Sequence, residues 1–333
     1  MEVCSEMKII ESTPRIIDIE ISTVCNYKCT VCTRGNGKIN RPKKILSLES
    51  FNRLGDILSA DGIDATIRIN CIGEPFTNRY IYDILDNGLA RGVLGKGAVV
   101  INTNASLIDV ERLKIFGRQV HLQISLDSTR PEIYQIYRNN EDRFYRSAMA
   151  NIAELAKTEV RVGLFTLVTR HNQDHLDEIR QFGESLGLPV TFLPFHCSPF
   201  NVVQDDLPPG VSVEDNFITR AFVTKEDFDD YSPTAPWTSN FVVYGPDGNG
   251  KGIYRRNGGL KKACQYSEIS WIGPSGEVLP CCLEAYFNTK TFGNVFEVGS
   301  FRKIWESHEY RAFRSDLSNR AQAAHSPCRI CFK

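Results

Sequence analysis

Between about residues 14 and 196, apolar residues follow two alternating patterns. Short apolar runs bounded by turn residues are typical of buried strands, and the stretches between them repeat apolar residues at helical spacing. The predicted strands are Ile16–Ser22, Thr66–Cys71, Ala98–Asn102, His121–Leu126, Arg161–Val168 and Val190–Phe195. The predicted helices are Leu48–Ser59, Arg79–Arg91, Leu107–Phe116, Tyr145–Lys157 and Gln173–Leu186.

Strict alternation of strands and helices predicts an α/β fold with a parallel sheet and right-handed crossovers. Six such units are too few for a closed eight-stranded barrel. We expect three regions: the α/β region, residues 1–196; a bridging region, 197–262; and a small C-terminal domain, 263–333.

The bridging region has several Pro- and Gly-rich stretches, which predict loops and one hairpin. Its Gly245–Gly252 segment fits G-x4-G-K, but Gly252 stands where a phosphate-binding loop needs Ser or Thr. The flanking runs, Phe241–Tyr244 and Ile253–Tyr254, resemble strands. A β-hairpin loop is therefore favoured over a nucleotide site.

The composition is that of an ordinary soluble globular protein, with 42% hydrophobic and 24% charged residues and a net charge of −1. No long run of one charge favours nucleic acid as a partner, and no apolar stretch approaches a membrane span. The eleven cysteines are an odd number and mostly clustered, which indicates metal binding in a reducing cytoplasm rather than disulfides.

Three cysteines, Cys25, Cys29 and Cys32, follow the first predicted strand with the spacing C-x3-C-x2-C, and the next cysteine is Cys71. Three thiolates can hold three irons of a [4Fe–4S] cluster, which leaves one iron open to another ligand. The alternative is a zinc site, but zinc sites usually recruit a fourth Cys or His close by or in a matching pair.

This loop resembles that of the radical S-adenosylmethionine (SAM) family. The resemblance implies a partial (β/α)6 TIM-type barrel whose [4Fe–4S] cluster binds SAM through the open iron. The reduced cluster then cleaves SAM to a 5′-deoxyadenosyl radical. In barrels of this type the chemistry lies at the carboxyl ends of the strands, where the cysteine loop is also predicted.

Strand two ends in Cys71-Ile-Gly-Glu-Pro, which is similar to the family's Gly-Gly-Glu-Pro motif. The resemblance implies that Gly73, Glu74 and Pro75 contribute backbone and carboxylate groups to the binding of the SAM amino group. A carboxylate beside an ammonium forms a charge-assisted contact. Ile72 replaces the first glycine of the motif, which matters little if the backbone carbonyl makes the contact.

The next two strands also end in segments similar to family motifs. Thr103-Asn104-Ala105 resembles Thr-Asn-Gly, and Ser125-Leu-Asp resembles Ser-Leu-Asp. The resemblance implies that Ser125 and the downstream Arg138 reach the SAM ribose and carboxylate, although an arginine on an exposed helix is more commonly just solvated.

The C-terminal region contains a second group of cysteines. Cys264 and Cys281 flank Gly276 in the pattern C-x11-G-x4-C, and a distant C-x2-C pair follows, Cys328 and Cys331. This pattern resembles a SPASM domain or its shortened twitch form. With only two residues after Cys331 we expect one auxiliary [4Fe–4S] cluster, held by these four cysteines. A Cys4 zinc site is the alternative.

The implied enzyme takes one electron from a flavodoxin- or ferredoxin-type reductant and abstracts hydrogen from its substrate. One hypothesis is two-electron oxidation of a small polar substrate, such as a sugar or aminocyclitol, with the auxiliary cluster accepting an electron. Another is epimerisation, in which a thiol returns a hydrogen atom. Cys197 is a candidate hydrogen-atom donor, and Cys71 and Cys282 are others.

A third hypothesis is modification of a ribosomal peptide or protein side chain. Only about fourteen residues precede strand one, which we expect leaves no room for a leader-binding domain. A non-enzymatic alternative is an iron–sulfur scaffold or electron carrier. Motifs for SAM at successive strand ends argue against a carrier, because a carrier needs no such site.

Overall fold

The described strands of this protein form one eight-stranded sheet in a computed structural model, in the order β6-β5-β4-β3-β2-β1-β7-β8. The model describes residues 13–29, 32, 34–35, 41–94, 97–138, 141–168, 172–194, 265–282 and 290–318. The strands are β1 (Ile16–Ile19), β2 (Thr66–Ile69), β3 (Val99–Thr103), β4 (Val120–Ser125), β5 (Arg161–Val168), β6 (Val190–Pro194), β7 (Ile269–Ile272) and β8 (Val278–Leu279).

The first six strands are parallel and lie in sequence order. Along the chain, β6 is followed by β7, which pairs with β1 and not with β6. The sheet is therefore open, as the predicted α/β partial barrel requires. All six predicted N-terminal strands are present, and their ends differ from the predictions by at most three residues.

The described α-helices include one after each of the first five strands. They are α1 (Leu48–Ala60), α2 (Ile81–Ala90), α3 (Val110–Leu113), α4 (Pro131–Arg138), α5 (Asp142–Leu155), α6 (Leu176–Ser185), α7 (Val295–Val298), α8 (Phe301–Trp305) and α9 (His308–Ser318). Helix α1 begins after Ser47, whose side chain accepts a hydrogen bond from the Ser50 backbone N–H.

The predicted helix Leu107–Phe116 is wrong in extent. Asp109 accepts a hydrogen bond from the Arg112 backbone N–H and so caps α3, which begins only at Val110. After Leu113 the chain tightens into a 3₁₀ helix, Lys114–Gln119, in which Gly117 has a φ of 49°. Helix α4 is absent from the predicted helices, although Arg138 at its end was expected on an exposed helix.

The C-terminal segment extends the sheet at β1. Strand β7 pairs with β1 in parallel, with Ile17 opposite Ser270 and Asp18 opposite Trp271, and β8 closes this edge as an antiparallel hairpin partner. The predicted division into three regions stays a prediction, but residues 269–279 share a sheet with the barrel. The 197–262 bridge, including Gly245–Gly252, lies outside the described residues.

Alternate residues of β1 point to opposite sides of the sheet. Ile17 and Ile19 are fully buried and belong to the same core as Phe51 and Leu54 of α1. Asp18 and the following Glu20 lie on the other face, away from the helices, and are equally buried. The inner face of the half-barrel is thus polar, whereas the outer face is the main hydrophobic core. No described helix is long and apolar enough to cross a membrane.

Candidate active site

The cysteine loop begins five residues after β1 and lies at the carboxyl end of the sheet. Cys25, Cys29 and Cys32 are free thiols of intermediate burial. Burial raises the pKa of Cys25 to about 12 and that of Cys29 to about 11. Both thiols are therefore protonated at neutral pH, and a bound metal would favour the thiolate form because its positive charge stabilises it.

No three His, Cys, Asp or Glu side chains within the described ranges are arranged to hold a single metal ion. Each thiolate of a [4Fe–4S] cluster binds a different iron. A cluster loop therefore does not have to bring its sulfur atoms around one point, as a tetrahedral zinc site does.

The Gly-Glu-Pro turn after β2 packs directly on the backbone that leads into the cysteine loop. A Cβ atom at Gly73 would lie 2.3 Å from the Val24 carbonyl oxygen and 2.7 Å from that of Ser22. The next residue, Glu74, donates its backbone N–H to the same Val24 carbonyl over 2.7 Å. Only glycine permits this approach, so the motif fixes where the cysteine loop starts.

The Glu74 carboxylate joins the ends of β2 and β3. It accepts hydrogen bonds from the Thr103 hydroxyl at 2.6 Å, the Asn104 backbone N–H at 2.8 Å and the Phe76 backbone N–H at 3.2 Å. Burial nevertheless raises the pKa of Glu74 to about 7. Pro75 begins the short 3₁₀ helix that follows. Four of the predicted SAM-site residues, Glu74, Pro75, Thr103 and Asn104, therefore lie together.

Asn104 continues this network into the cysteine loop. Its side-chain amide donates to the Asn26 side-chain oxygen at 3.0 Å, and the Asn26 amide donates to the Ser106 hydroxyl at 2.9 Å. Ala105, between Asn104 and Ser106, is fully buried. Its φ of 62° is a left-handed conformation, which is unusual for a residue with a side chain. The family's Thr-Asn-Gly has glycine at this position, so the observed strain has a clear origin.

Arg138 is not on an exposed surface. Its side chain is 13% exposed and pairs with Asp127 at 2.6 Å. Its buried Nε atom finds no hydrogen-bond partner in the described part of the chain, and its charge acts on the nearby Cys29 thiol. Ser125 ends β4 and is partly buried. A buried arginine with a spare donor beside the cysteine loop fits an anionic group there.

Polar side chains continue down the inner face of the sheet. Arg68 forms a bidentate pair with Asp18, with both N–O distances 2.7 Å, and the Asn102 amide donates to Asn70 at 3.1 Å. Desolvation raises the pKa of Asp18 despite the opposing effect of Arg68. Sequence reasoning missed these residues, although their alternation with Ile and Val in each strand was visible.

A buried ion network connects the half-barrel to the C-terminal hairpin. Arg41 binds Glu20 at 2.8 Å and Glu277 at 3.0 Å. Glu20 also accepts a hydrogen bond from the Ile72 backbone N–H at 2.9 Å. Burial raises the pKa of Glu20, which Arg41 opposes. The turn that begins at Ile72 and the C-terminal region are thereby joined through one arginine.

Of the predicted auxiliary ligands, only Cys281 lies within the described residues, where it is buried after β8. Cys282 is adjacent and partly buried, and the Tyr266 side chain lies next to it. Cys264, Cys328 and Cys331 lie outside the described residues, as does the candidate donor Cys197. Their roles stay predictions.

A thiol-rich loop on the carboxyl edge of an open α/β sheet, tied to turns from β2 and β3, defines an iron–sulfur enzyme of the half-barrel class. A family model described as the radical SAM superfamily matches residues 19–183, and a second, described as an iron–sulfur cluster-binding domain (SPASM), matches residues 264–332. The chain belongs to the radical SAM superfamily. Its cofactors are a [4Fe–4S] cluster, SAM and auxiliary iron–sulfur.

Two curated relatives cover different lengths of the chain. GTP 3′,8-cyclase of Rhizobium leguminosarum bv. trifolii is 22% identical over 56% of this chain and 53% of its own. The subtilosin biosynthesis protein AlbA of Bacillus subtilis is 25% identical over 86% of this chain and 58% of its own. The chain thus spans about half the length of the curated relatives it matches.

Solved structures with this fold include three SAM complexes. SuiB of Streptococcus suis gives a TM-score of 0.57 at 17% identity over 91% of this chain and 68% of its own. The anSMEcpe structure with bound AdoMet has a TM-score of 0.62 at 16% identity and covers 96% of this chain and 83% of its own. BtrN in complex with AdoMet and 2-DOIA has a TM-score of 0.51 at 15% identity and covers 96% of this chain and 93% of its own. At these identities the likeness concerns the fold.

Proposed function

We propose that this protein abstracts a hydrogen atom from a small polar substrate, of the sugar or aminocyclitol kind, and oxidises it by two electrons. The observation that carries the proposal is the polar inner face of the half-barrel. The Asp18–Arg68 pair and the Asn70–Asn102 pair offer alternating donors and acceptors on β1, β2 and β3. These groups already pair with one another, but the partly exposed side chains of Arg68, Asn70 and Asn102 have further donors and acceptors. A hydroxyl-rich molecule can bond to these, whereas an apolar substrate would bury them without a partner.

When bound, the cofactors supply the reductive cleavage of SAM to a hydrogen-abstracting radical and an auxiliary acceptor for the electron that the substrate releases. Cys25, Cys29 and Cys32 are the proposed ligands of the SAM-binding cluster. The Gly73–Glu74 turn holds the start of their loop, and Arg138 offers a buried cation toward the same place. The proposed auxiliary ligands are Cys264, Cys281, Cys328 and Cys331.

The proposed oxidation balances in atoms and electrons. The substrate carbon loses a hydrogen atom, its hydroxyl loses a proton, and the remaining electron leaves to the auxiliary acceptor, so that an alcohol becomes a carbonyl. The partly exposed side chains Asn70, Asn102 and Gln123 would orient the alcohol on the inner face. An external one-electron reductant of flavodoxin or ferredoxin type starts each turnover.

Epimerisation at the same carbon would instead require a thiol that can donate hydrogen. Cys71 has a thiol that keeps its hydrogen, because burial raises its pKa well above the usual value, and its sulfur accepts a hydrogen bond from the Ile21 backbone N–H. It therefore stays a candidate donor together with Cys197 and Cys282.

Modification of a ribosomal peptide is the second candidate function. It is favoured by the match to AlbA, a bacteriocin biosynthesis protein, over 86% of this chain. A structure with the same fold, anSMEcpe, also holds a peptide. A peptide would use its backbone amides to satisfy the same polar inner face.

The test is anaerobic reconstitution with iron and sulfide, followed by dithionite, SAM and a panel of aminocyclitols, sugars and peptides. We expect 5′-deoxyadenosine together with an aminocyclitol or sugar product two mass units lighter than its substrate. Oxidised peptide in place of oxidised small molecule would favour the second candidate. A loaded three-cysteine cluster that forms no 5′-deoxyadenosine would contradict both.

For oxidation against epimerisation, the reaction is run in deuterated water with the wild type and Cys197→Ala. Deuterium on the product carbon that disappears in the variant indicates epimerisation. Oxidised product that is unaffected by the substitution indicates dehydrogenation.

A further inference from the structure

The charged residues of the chain around the cysteine loop are all basic. Between Ile21 and Ser47 the sequence contains six Lys or Arg and no Asp or Glu, although the whole chain is balanced, with 39 basic and 40 acidic residues. Arg41 is buried in its ion network, and Lys38 lies outside the described residues. The other four basic residues of this segment are Lys28, Arg34, Lys43 and Lys44.

The backbone at Lys44 is fixed beside the start of the cysteine loop. The Thr23 backbone N–H donates to the Lys44 carbonyl at 2.9 Å, and the Lys44 N–H donates to the Thr23 hydroxyl at 2.7 Å. The same hydroxyl donates to the Pro42 carbonyl at 2.8 Å. Thr23 precedes Cys25 by only two residues, so the Lys44 backbone lies within roughly 10 Å of Cys25.

Arg34 and Lys28 continue this surface across the cysteine loop. The Arg34 guanidinium donates to the Arg41 carbonyl, directly before Pro42, at 3.4 Å. The next residue, Gly35, packs on the loop, since a Cβ atom there would lie 2.8 Å from the Lys28 carbonyl carbon. The four residues therefore surround the cysteine loop, and together they are called the basic surface: Lys28, Arg34, Lys43 and Lys44.

The basic surface is open to solvent, with Arg34 partly exposed and its three lysines more fully exposed. None of its members forms an ion pair within the residues that the structure describes, whereas Lys114 and Lys157 each pair with a glutamate. Ile45, next to Lys44, is 41% exposed and adds a large apolar side chain to the same surface. Uncompensated cations around an apolar side chain suit the binding of an acidic protein surface.

We infer that the basic surface binds the external one-electron reductant, a flavodoxin- or ferredoxin-type protein with an acidic docking face. The inference rests on the proposed function, in which such a reductant starts each turnover. Electron transfer weakens steeply with distance, so the donor has to dock beside the three-cysteine loop. Docking makes and breaks no bond, and one electron leaves the reductant and enters the cluster. Opposite charges on the two proteins speed their encounter and fix their orientation.

The experiment compares a protein reductant with a small one. Fully reconstituted enzyme with SAM is driven either by limiting flavodoxin, reduced through its NADPH-dependent reductase, or by dithionite, which needs no docking surface. For Lys43→Glu/Lys44→Glu we expect the flavodoxin-driven rate of 5′-deoxyadenosine formation to fall about tenfold, and the dithionite-driven rate to stay near that of the wild type. The hydrogen bonds at Lys44 involve its backbone, so the substitutions leave them in place.

Binding is measured separately from turnover, by calorimetric titration of oxidised flavodoxin into the same enzyme. The dissociation constant should rise about tenfold in the double variant. For the wild type it should rise between about 0.01 and about 0.1 M ionic strength, because the Debye length falls from about 30 to about 10 Å. Lys43→Gln/Lys44→Gln removes the charges without reversing them and should have an intermediate effect. It also serves where the Glu variant loads no cluster.

Lys157→Glu/Lys303→Glu is the matched control, because it changes the net charge by the same amount. Both lysines are exposed and lie near the opposite edge of the sheet. Lys157 follows α5 and precedes β5, and the Arg302 backbone N–H beside Lys303 donates to Asp61 at the end of α1. Flavodoxin binding and both rates should stay near those of the wild type.

A flavodoxin-driven rate and affinity that are unchanged in the double variant, or changed equally in the control, would overturn the inference. A wild type that binds neither flavodoxin nor ferredoxin, or whose basic surface binds duplex RNA or anionic vesicles instead, would also overturn it. A wild type that binds flavodoxin through the basic surface but forms no 5′-deoxyadenosine with dithionite would contradict the proposed function and still support the docking surface.

Discussion

The two cysteine-bearing regions of this protein each contain a buried arginine, and the two arginines differ in the groups that surround them. Beside the N-terminal cysteine loop, Arg138 is ion-paired with Asp127, and the loop is tied down by polar side chains from neighbouring strand ends. In the C-terminal region, Arg314 lies between aromatic rings without a carboxylate partner among the described residues. Arg138 is therefore partly compensated and keeps one buried donor beside the cysteine loop, whereas no carboxylate among the described residues compensates Arg314.

The contrast matches the tasks that the two regions are proposed to have. A cluster with an open iron must bind and release SAM, so its surroundings need ordered groups, among them a donor for the anionic part of SAM. A saturated cluster exchanges no ligand, so the protein controls it mainly through charge and burial. Four changes would break or sharpen this comparison, taken from the largest expected effect to the smallest.

Gly73→Ala should have the largest effect, because its Cβ would lie 2.3 Å from the Val24 carbonyl oxygen and displace the cysteine loop. We expect a loss of stability of about 4 kcal/mol and loss of SAM cleavage, with the auxiliary cluster retained. Iron content and 5′-deoxyadenosine formation are the measurements. Gly92→Ala is the control, since it has a φ of +69° but open space, and should cost only about 1–2 kcal/mol. Equal effects of the two substitutions would contradict the packing role of Gly73.

Arg41→Met should break the ion network that joins the half-barrel to the C-terminal region. It leaves the buried Glu20 without its cation and frees Glu277, which we expect to cost about 3 kcal/mol. Denaturant unfolding measures the cost, and the Michaelis constant for SAM should rise because Glu20 holds the Ile72 backbone. Glu277→Gln keeps the Arg41–Glu20 pair and should cost much less. Equal losses of stability in both variants would show that the Arg41–Glu20 pair contributes little to the free energy of unfolding.

The charge of Glu74 should make stability depend on pH. Its pKa in the folded protein, about 7, exceeds its ordinary value of 4.5, so the folded state binds the proton more tightly than the unfolded state. The stabilising contribution is full below pH 4.5 and is lost as pH rises through 7, by an amount on the order of 3 kcal/mol.

Urea unfolding of the wild type and Glu74→Gln between pH 4.5 and 8 measures this contribution as a difference. We expect the wild type to lose stability relative to the variant as pH rises. A difference that grows in the opposite direction would mean that the hydrogen bonds from Thr103 and Asn104 outweigh burial.

The smallest effect is expected for Ala105→Gly. Relief of the left-handed conformation is offset by the loss of a buried methyl group and by the greater freedom of glycine in the unfolded chain. We therefore expect a change within about 0.5 kcal/mol. Ala148→Gly, at an equally buried position inside α5, should cost about 1.5 kcal/mol. Similar costs at both positions, measured by thermal unfolding, would remove the argument for strain at Ala105.

The sequence predicted what depends on local pattern. Apolar runs and helical spacing gave the six N-terminal strands and their parallel arrangement, and the triad Cys25, Cys29 and Cys32 was visible as a motif. The family resemblance, confirmed by the comparisons, came from those motifs at successive strand ends.

What depends on long-range pairing was not predicted. The short, fully buried β7 pairs with β1 some 250 residues away, and nothing in its own sequence specifies that partner. The Glu20–Arg41–Glu277 network depends on that same packing. A single sequence shows charged residues but not which of them tertiary structure removes from water.

The central claim is that Cys25, Cys29 and Cys32 hold a cluster that SAM can reach, separate from the C-terminal cluster. The most direct measurement is EPR of the reduced, reconstituted protein with and without SAM, in the wild type and in a variant with these three cysteines replaced by Ala. We predict that SAM changes the wild-type spectrum, and that the variant retains a signal that SAM does not affect. A variant signal that still responds to SAM, or a wild-type spectrum that ignores it, would contradict the account.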